Sequence, residues 1–376
     1  MTEGKSYPVH LLDSSPEIKA DYFRKFTVLH PALKTAFLKL FDLVSNPGNT
    51  SIILVYGPSG VGKTTLYLNT MKKIIEDEWS SLEKDPGKIP VAGIEALAPE
   101  NGQFDWKEFY IRSLESLDEP LIDKKVDYEK KYQDSTKVVK EDRNRHLRRS
   151  LENALHFRRP RAFMIDEAQH FTKMASGKQL KNQMDTIKSL ASQSRVPYVL
   201  VGTYELLPFR NLSGQLSRRG ADIHLHRYRA EQPDELKSFI NVLWTFQKNL
   251  PLEIEPQIVD FYEYFYERTI GCVGILKDWL YRSYKAKIMD NPKTMDLDDF
   301  KPFAHSVDQC LHMAREAREG ELRLEERLEK QEELARLLGI AEMNLPEEKQ
   351  PPKKKGRKVG QRKPKRDAVG DIQNVQ

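Results

Sequence analysis

The fold is decided by the stretch Ile52-Ile53-Leu54-Val55-Tyr56, which is followed directly by Gly57-Pro58-Ser59-Gly60-Val61-Gly62-Lys63-Thr64. The apolar run is long enough for a central strand of a parallel sheet. The glycines permit a sharp turn that directs successive backbone N–H groups at a phosphate. Apolar residues resume after Thr65 and predict a helix, whose N-terminus favours an anion. This sequence predicts a nucleoside triphosphate site made of Gly57, Pro58, Ser59, Gly60, Val61, Gly62, Lys63, Thr64 and Thr65.

Two residues at the end of this loop predict ATP and Mg²⁺ as cofactors. Lys63 is placed to reach the β- and γ-phosphates, and the Thr64 hydroxyl is placed to bind Mg²⁺. A chance match to the motif in a surface loop would lack the strand before it and the helix after it. The stretch therefore indicates a P-loop, the Walker A motif.

A second apolar segment ends in two adjacent carboxylates, Asp166 and Glu167, about 100 residues after the P-loop. We expect Asp166 to hold Mg²⁺, directly or through water, and Glu167 to orient and deprotonate the attacking water. The alternative is a strand that ends in an exposed acidic turn. The distance from the P-loop favours the first interpretation and predicts an ATPase rather than a nucleotide sensor.

Four further residues are candidates for the same site. Thr203 follows an apolar strand, and polar side chains at the carboxyl end of a central strand lie in the ligand-binding crevice, which makes Thr203 a candidate sensor of the γ-phosphate. Arg218 and Arg219 could supply an arginine finger to a neighbouring subunit's nucleotide, or they could be solvated surface residues. Lys277 begins a helix after two glycines and is either a second sensor or an ordinary helix-start lysine.

Composition places the chain among water-soluble proteins with a modest core. The 376 residues are 39% hydrophobic and 31% charged, enough for one large or two smaller domains plus tails. Cys272 and Cys310 are the only cysteines, and their spacing fits neither a disulfide framework nor a zinc site. The N-terminus lacks an apolar signal segment, and the chain lacks a run of about 18 apolar residues. We therefore expect a cytoplasmic protein without a membrane partner.

The order of the segments predicts an α/β protein with a helical lid. The expected strands 51–56, 90–95, 162–166 and 197–202 alternate with helices, the pattern of a parallel sheet. A helix is expected at 31–45, and the polar stretch 123–149 is expected to be a surface helix or insertion. The predicted organisation is a flexible leader at 1–20, an α/β nucleotide-binding core at 21–230, a small α-helical lid at 231–305, a charged helical extension at 306–345 and a disordered basic tail at 346–376.

These motifs, in this order, resemble the AAA+ superfamily, and within it the TnsC/TniB group of transposition ATPases, including those of CRISPR-associated transposons. The resemblance covers about residues 20–300. It rests on the P-loop, His30-Pro31, Pro90-Val91, Trp106 with Phe109, Ile165-Asp166-Glu167-Ala168-Gln169-His170, Val201-Gly202-Thr203 and Leu216-Ser217-Arg218-Arg219. The segment Asp-Glu-Ala-Gln-His also suggests a DEAH helicase, but its Gln169 and the lack of a second RecA-like core disfavour that class.

The resemblance implies a regulator of DNA transposition rather than a nuclease. Proteins of this group form ATP-dependent rings or filaments on duplex DNA. They link a target-selector protein of the TniQ/TnsD kind to the transposase, and hydrolysis of ATP limits or dismantles the assembly. The resemblance thus implies three partners for this chain, namely duplex DNA, further copies of itself, and the selector and transposase.

The DNA contacts implied by the resemblance lie after the second strand, at Lys107, Lys124 and Lys125. A second candidate set follows the Walker B strand and consists of Lys173, Lys178 and Lys181. The net charge of +5 is concentrated in residues 353–376, which carry +7 and leave −2 on the rest of the chain. This tail is either an electrostatic DNA tether or a docking peptide for an acidic partner, since it has no aromatic residues to stack on bases.

Two other classes of function share much of this pattern. An AAA+ replication initiator or helicase loader would have the same core, although such proteins often carry a C-terminal DNA-binding fold that the charged segment 316–338 does not resemble. A non-hydrolysing scaffold of the signalling-ATPase kind would also bind nucleotide, but Glu167 and the two candidate finger arginines disfavour it.

Overall fold

A computed structural model describes residues 6–99, 104–122, 140–172, 177–210, 220–325 and 328–339. The chain divides into a large unit, residues 1–323, and a second unit, residues 324–376. The large unit contains a parallel sheet and a group of helices after it. The second unit contains the helix Leu328–Leu337.

Within the described ranges, five parallel strands form one sheet in the order β2-β3-β4-β1-β5. Their bounds are β1 Ile52–Tyr56, β2 Ala92–Glu95, β3 Phe163–Asp166, β4 Tyr198–Gly202 and β5 Gly220–His224. Every residue of β1, β3 and β4 is buried, as the continuous apolar runs predict for strands covered on both faces. The predicted parallel α/β sheet is confirmed. The sequence analysis did not identify β5, which contains one fully buried residue, Ile223.

Thirteen helices are numbered along the described residues. They are α1 Pro16–Lys25, α2 Pro31–Ser45, α3 Lys63–Leu82, α4 Trp106–Glu115, α5 Lys140–Arg158, α6 Lys178–Ser194, α7 Leu207–Arg210, α8 Pro233–Lys248, α9 Tyr262–Thr269, α10 Val273–Lys287, α11 Leu297–Phe300, α12 Val307–Leu324 and α13 Leu328–Leu337. Helix α2 packs on α3 and β5, and α5 packs on α4 and α6. The helices α1, α8, α9, α10 and α11 share a separate apolar cluster. No helix in the described ranges is long and apolar enough to cross a membrane.

Residues 7–20 of the segment expected to be a flexible leader are structured, which corrects that expectation for the described part of the segment. Tyr7, Leu11 and Ala20 are buried, and the Tyr7 hydroxyl donates a hydrogen bond to the Leu252 carbonyl. Phe23, at the end of α1, is fully buried among the aromatic side chains of the helical region. Burial of such an aromatic side chain stabilises the fold by about 2 kcal/mol. The prediction of a flexible segment rested on the breakers Ser14, Ser15 and Pro16, which carry no information about this burial.

The charged helix α12, which follows the helical region, packs back onto the core. In α12, Ala317 belongs to the apolar cluster around the sheet, and a Cβ at Gly320 would lie 2.1 Å from the Tyr204 ring. The carboxylate of Glu321 accepts hydrogen bonds of 2.8 and 3.1 Å from Arg227, and both side chains are buried. Helix α12 is therefore part of the folded unit, although its sequence contains many charged residues.

The polar stretch between the second and third strands is only partly described. Residues 123–139 lie outside the described residues, and α5 occupies the remainder. Its buried face contains Leu147, Leu151, Ala154 and Leu155. This apolar spacing of three and four residues explains how a helix with so many charges packs against its neighbours.

Candidate nucleotide site

The P-loop connects the end of β1 to the start of α3. Gly62 precedes the helix with φ of 109°, a conformation that favours glycine. Lys63 is 7% exposed, and its Nζ donates to the carbonyls of Gly57 and Pro58 at 3.1 and 2.8 Å. Burial lowers the pKa of Lys63, an effect opposed by the nearby Glu167 and Asp166 carboxylates. The ammonium is thus held inside the loop, where phosphate oxygens could replace the two carbonyls.

Thr64 and Asp166 lie in contact, although 102 positions separate them. The Thr64 hydroxyl donates to Asp166 Oδ2 at 2.9 Å, and the Glu167 N–H donates to Asp166 Oδ1 at 2.9 Å. Burial raises the pKa of Asp166, while these two hydrogen bonds and Lys63 favour its ionised form. A hydroxyl and a carboxylate are the oxygen ligands that Mg²⁺ prefers. The pair therefore fits the predicted Mg²⁺ site.

The rest of such a site would come from phosphates and water. The described part of the chain contains no group of three or more His, Cys, Asp or Glu side chains that could hold a metal ion by themselves. Protein sites for Mg²⁺ commonly supply one or two carboxylates and leave the remaining positions to substrate phosphates and water. The donor set of Thr64 and Asp166 agrees with that pattern.

Glu167 occupies an uncommon backbone position directly after β3. Its φ is 52°, which lies in the left-handed region that non-glycine residues rarely adopt. Such strain is concentrated at functional sites. The carboxylate accepts a hydrogen bond of 2.5 Å from Gln169 Nε2. Glu167 is therefore fixed both through its backbone and through its side chain.

Thr203 lies at the same carboxyl edge of the sheet, because β3 and β4 run parallel. Its N–H donates to Gln169 Oε1 at 3.2 Å, so Gln169 connects it to Glu167. The Thr203 hydroxyl accepts a hydrogen bond from the Glu205 N–H at 3.4 Å and caps the short 3-10 helix Tyr204–Leu206. Thr203 therefore contacts the site residue Gln169 through its backbone N–H, while its hydroxyl is used in the cap.

The first turn of α10 lies directly against the P-loop. The Ile275 N–H donates to the Gly60 carbonyl at 3.1 Å. A Cβ added at Gly274 would lie 2.4 Å from the same oxygen, so only glycine allows this approach. The sequence analysis noted the two glycines of this segment, but it used them to place Lys277.

Lys277 contacts Phe23 rather than the P-loop, which favours the alternative of a helix-start lysine over a second sensor. Its ammonium donates to the Phe23 carbonyl and lies 3.7 Å from the centre of the Phe23 ring. The Phe26 and Phe246 rings also lie within 6 Å of it. Burial lowers the pKa of Lys277 to about 7. The helix-start position was recognised, but the N-terminal aromatic residues that hold the side chain were not.

The remaining predicted site residues fall into two groups. Lys107 is exposed in the first turn of α4, where its N–H is capped by the Asp105 carboxylate at 2.9 Å, and Lys178 and Lys181 are exposed at the start of α6. The candidate finger residues Arg218 and Arg219 lie outside the described residues. So do the candidate DNA contacts Lys124, Lys125 and Lys173.

Gln169 lies at this site between Glu167 and Thr203, and the sequence analysis left it without a role. The motif Asp166-Glu167-Ala168-Gln169 was noted, but Gln169 served there only to disfavour a helicase. A polar residue two positions after a candidate base is the only local signal that the sequence offers for it. The hydrogen-bond partner Thr203 could not be identified in that way, since it lies 34 positions away.

Comparison with known proteins shows which families the core is similar to. Residues 47–209 match the family described as AAA domain. No curated protein matches the sequence. Among solved structures, the chain is similar to the ORC2 protein of Aeropyrum pernix in ADPNP–ADP complexes (14% identity, TM-score 0.47, covering 76% of this chain and 72% of that one). It is also similar to the ORC1 protein of Aeropyrum pernix in complex with DNA, with 16% identity and a TM-score of 0.48, covering 77% of this chain and 68% of that one. A third similar structure is a Walker-type ATPase of Pyrococcus abyssi, with 16% identity and a TM-score of 0.43, covering 82% of this chain and 76% of that one.

The family match spans β1, the P-loop, the Asp166–Glu167 pair and Thr203, which are the elements that form the candidate site. Residues 47–209 are therefore similar to an AAA domain, and the parallel α/β core of this protein has the AAA+ fold.

Proposed function

We propose that this protein binds ATP with Mg²⁺ and hydrolyses it at the P-loop, with Glu167 as the base. The observation that carries the proposal is the 2.9 Å hydrogen bond between Thr64 and Asp166, which joins the end of the P-loop to the residue before Glu167. This contact supports the proposal, since it brings the two candidate Mg²⁺ ligands next to a carboxylate that can accept a proton. The AAA domain supports nucleotide hydrolysis in general.

Each residue has a distinct part in this reaction. The P-loop N–H groups and Lys63 bind the β- and γ-phosphates, and Lys63 exchanges its two carbonyl contacts for phosphate oxygens. Bound Mg²⁺ would neutralise charge on these phosphates, held by Thr64 and Asp166. Glu167 orients a water molecule in line with the γ-phosphate and accepts its proton.

Two variants test this assignment separately. Lys63→Ala removes the phosphate-binding ammonium and is expected to abolish ATP binding. Glu167→Gln keeps the shape of the site but cannot accept the proton, so it is expected to bind ATP with near-normal affinity and to lose hydrolysis by at least about 100-fold. Binding of a fluorescent ATP analogue and release of phosphate are the two measurements. Normal turnover by Glu167→Gln would show that another group is the base.

The biological role that we propose is regulation of DNA transposition. In this role the protein oligomerises on duplex DNA in its ATP state, and Arg218 or Arg219 completes the site of the neighbouring subunit. It then connects a target-selector protein to the transposase, and hydrolysis of ATP ends the assembly. The support is the ordered set of motifs that resembles the TnsC/TniB group.

The alternative is an AAA+ replication initiator or helicase loader, which would use the same nucleotide site. The two roles differ in their partners rather than in their ATP chemistry. Genes for a transposase and a target selector beside this gene would favour transposition. Genes for replication proteins in that position would favour the alternative.

The DNA part of the proposal follows from the charge distribution. Because the chain without residues 353–376 has a net charge of −2, bulk attraction cannot hold duplex DNA to the body, and affinity must come from lysines that oligomerisation brings together. We expect weak DNA binding without nucleotide and tight binding with a slowly hydrolysed ATP analogue. The binding constant should fall steeply with salt, as counterion release requires.

A salt titration with three proteins tests this placement. The variant Lys124→Ala/Lys125→Ala should reduce the salt slope without a change in sequence preference, since phosphate contacts position but do not specify. A protein without residues 346–376 should still assemble with ATP and DNA but recruit the transposase less well. If the truncated protein binds no DNA at any salt concentration, the tail is the DNA site and the proposed channel is wrong.

A further inference from the structure

Gln169 lies between two parts of the nucleotide site that are distant in sequence. It is 4% exposed and belongs to the short 3-10 helix Ala168–Phe171 that follows Glu167. Its Nε2 donates to Glu167 Oε2 at 2.5 Å, and its Oε1 accepts from the Thr203 N–H at 3.2 Å. One side-chain amide thus connects the carboxylate at the end of β3 to the backbone at the end of β4.

Hydrogen-bond chemistry fixes the orientation of this amide. The Thr203 N–H can only donate, so it requires the amide oxygen, and the amide nitrogen then faces Glu167. An ionised carboxylate can only accept, so it requires that nitrogen. The rotated amide would put donor against donor and acceptor against acceptor. Gln169 is therefore a directional link that neither a carboxylate nor an apolar side chain of the same size can replace.

The surrounding backbone leaves the amide little freedom. A Cβ at Gly202 would lie 2.4 Å from Gln169 Oε1 and 3.1 Å from the Gln169 N. The position at 202 must therefore be glycine for the amide to reach the end of β4. The Glu167 backbone is itself held in the left-handed conformation. Both the Gln169 side chain and the Glu167 backbone are therefore restricted in conformation.

We infer that Gln169 is a positioning residue that holds the Glu167 carboxylate in one rotamer for proton abstraction and couples it to the strand end at Thr203. The inference rests on the proposed ATP hydrolysis with Glu167 as the base. A hydrogen bond to a charged group is stronger and shorter than one between neutral groups. Loss of this bond leaves Glu167 free to rotate away from the attacking water, without a direct effect on the phosphate contacts of the P-loop.

The chain provides a matched control in the helical region. Gln247 is also 4% exposed, and its Nε2 donates to Glu255 Oε1 at 2.6 Å while its Oε1 accepts from the Val259 N–H at 3.0 Å. It makes the same two kinds of bond to a carboxylate and to a backbone N–H. Gln247→Met therefore measures what the loss of such a bridge costs in stability alone.

The experiment compares Gln169→Met with Gln247→Met in the full chain. We expect Gln169→Met to lower kcat for ATP about 10- to 100-fold, the effect of a small misplacement of a reacting group, with KM changed less than about threefold. Gln247→Met should lower the melting temperature by a similar amount and leave kcat within about twofold of the wild type. A kcat for Gln169→Met within twofold of the wild type would overturn the inference.

Two further variants keep the test decisive if Gln169→Met does not fold. Gln169→Glu preserves size but places a second carboxyl group against Glu167, and Gly202→Ala pushes the amide away from the end of β4. Both are expected to lower kcat with little change in KM. In the Glu167→Gln background, the same changes should cause no further loss of turnover. A further tenfold loss there would mean that Gln169 acts through a group other than Glu167.

Failure of the proposed function gives a different result. If the wild type has no ATPase activity, or if Glu167→Gln turns over normally, the role of Glu167 is wrong and the positioning role of Gln169 falls with it. If Glu167→Gln is inactive while Gln169→Met has normal kcat, only the positioning role is wrong.

Discussion

The backbone N–H of Ile275 donates a hydrogen bond of 3.1 Å to the carbonyl of Gly60. Ile275 lies in the first turn of α10, where backbone N–H groups have no partner within the helix. The P-loop satisfies this N–H, and Gly274 allows the two backbones to approach. The helical region and the P-loop are therefore joined by a main-chain contact, and a change in one is expected to alter the other.

The variant Gly274→Ala tests this contact. Its Cβ would lie 2.4 Å from the Gly60 carbonyl oxygen, so the helix and the P-loop must separate. We expect the affinity for ATP to fall about 10-fold because the loop loses its support, which corresponds to roughly 1.4 kcal/mol. Equilibrium titration with a fluorescent ATP analogue is the measurement. Gly87→Ala is the control, since a Cβ there contacts only the Asp85 side chain, at 3.4 Å.

The buried pair of Arg227 and Glu321 is expected to stabilise the docking of α12. Glu321→Gln leaves the Arg227 charge buried without its partner, which costs about 3–5 kcal/mol of unfolding free energy. The double replacement Arg227→Met/Glu321→Leu should regain most of that loss. Glu319→Gln, which breaks the exposed pair with Arg323, should change the unfolding free energy by less than about 1 kcal/mol. Equal effects of the two single variants in denaturant unfolding would contradict this account.

His30 is expected to make the protein less stable in acid. It is buried against the Tyr228 hydroxyl, 2.8 Å from its Nδ1, and burial lowers its pKa to about 4. Between about pH 6.5 and pH 4 the unfolded chain binds a proton at this residue that the folded chain does not bind. Stability from His30 is therefore complete above pH 6.5 and is lost as the pH falls, by about 2 kcal/mol at pH 5.

His30→Asn keeps a side chain that can cap α2 but removes the titrating group. Between pH 7 and pH 5, the unfolding free energy of this variant should fall by about 2 kcal/mol less than that of the wild type. The exposed His10, replaced in the same way, is the control. Identical pH dependence of the wild type and His30→Asn would show that His30 is not the group involved.

Lys277→Met distinguishes a structural lysine from a second sensor. Because its ammonium bonds to Phe23 rather than to the P-loop, we expect kcat and KM for ATP to stay within about threefold of the wild type. A loss of kcat greater than about 100-fold, the effect of removing a donor to the transition state, would mean that the lysine moves to the phosphates when ATP binds. Steady-state ATPase kinetics are sufficient to decide.

Mixed oligomers test the arginine finger. Subunits with Arg218→Ala/Arg219→Ala lack the finger but bind ATP, whereas Lys63→Ala subunits offer a finger but bind none. A mixture should recover part of the ATPase activity at interfaces where each subunit supplies what the other lacks. Turnover per subunit should also rise with protein concentration and with DNA. Turnover that does not depend on concentration in a strictly monomeric protein would contradict action in trans.

The strand and loop at 52–64 could be predicted because their signal is local. A continuous apolar run forms a buried strand, and the backbone chemistry of the glycine-rich loop needs only neighbouring residues. The same holds for β3, which ends in Asp166 and Glu167. The edge strand β5 was missed because only Ile223 on it is fully buried, which leaves no apolar run to detect.

The amino-acid sequence by itself determined the fold class, the P-loop motif and the candidates for the metal ligands and the base, since each is specified by residues adjacent in the chain. Only the tertiary structure decided that Gln169 meets Thr203, that Ile275 meets Gly60 and that Lys277 turns to Phe23. These contacts join residues 34, 215 and 254 positions apart. Whether such distant residues come into contact depends on how the sheet and the helices pack. Side chains in a close-packed interior adopt one arrangement, which local sequence patterns do not encode.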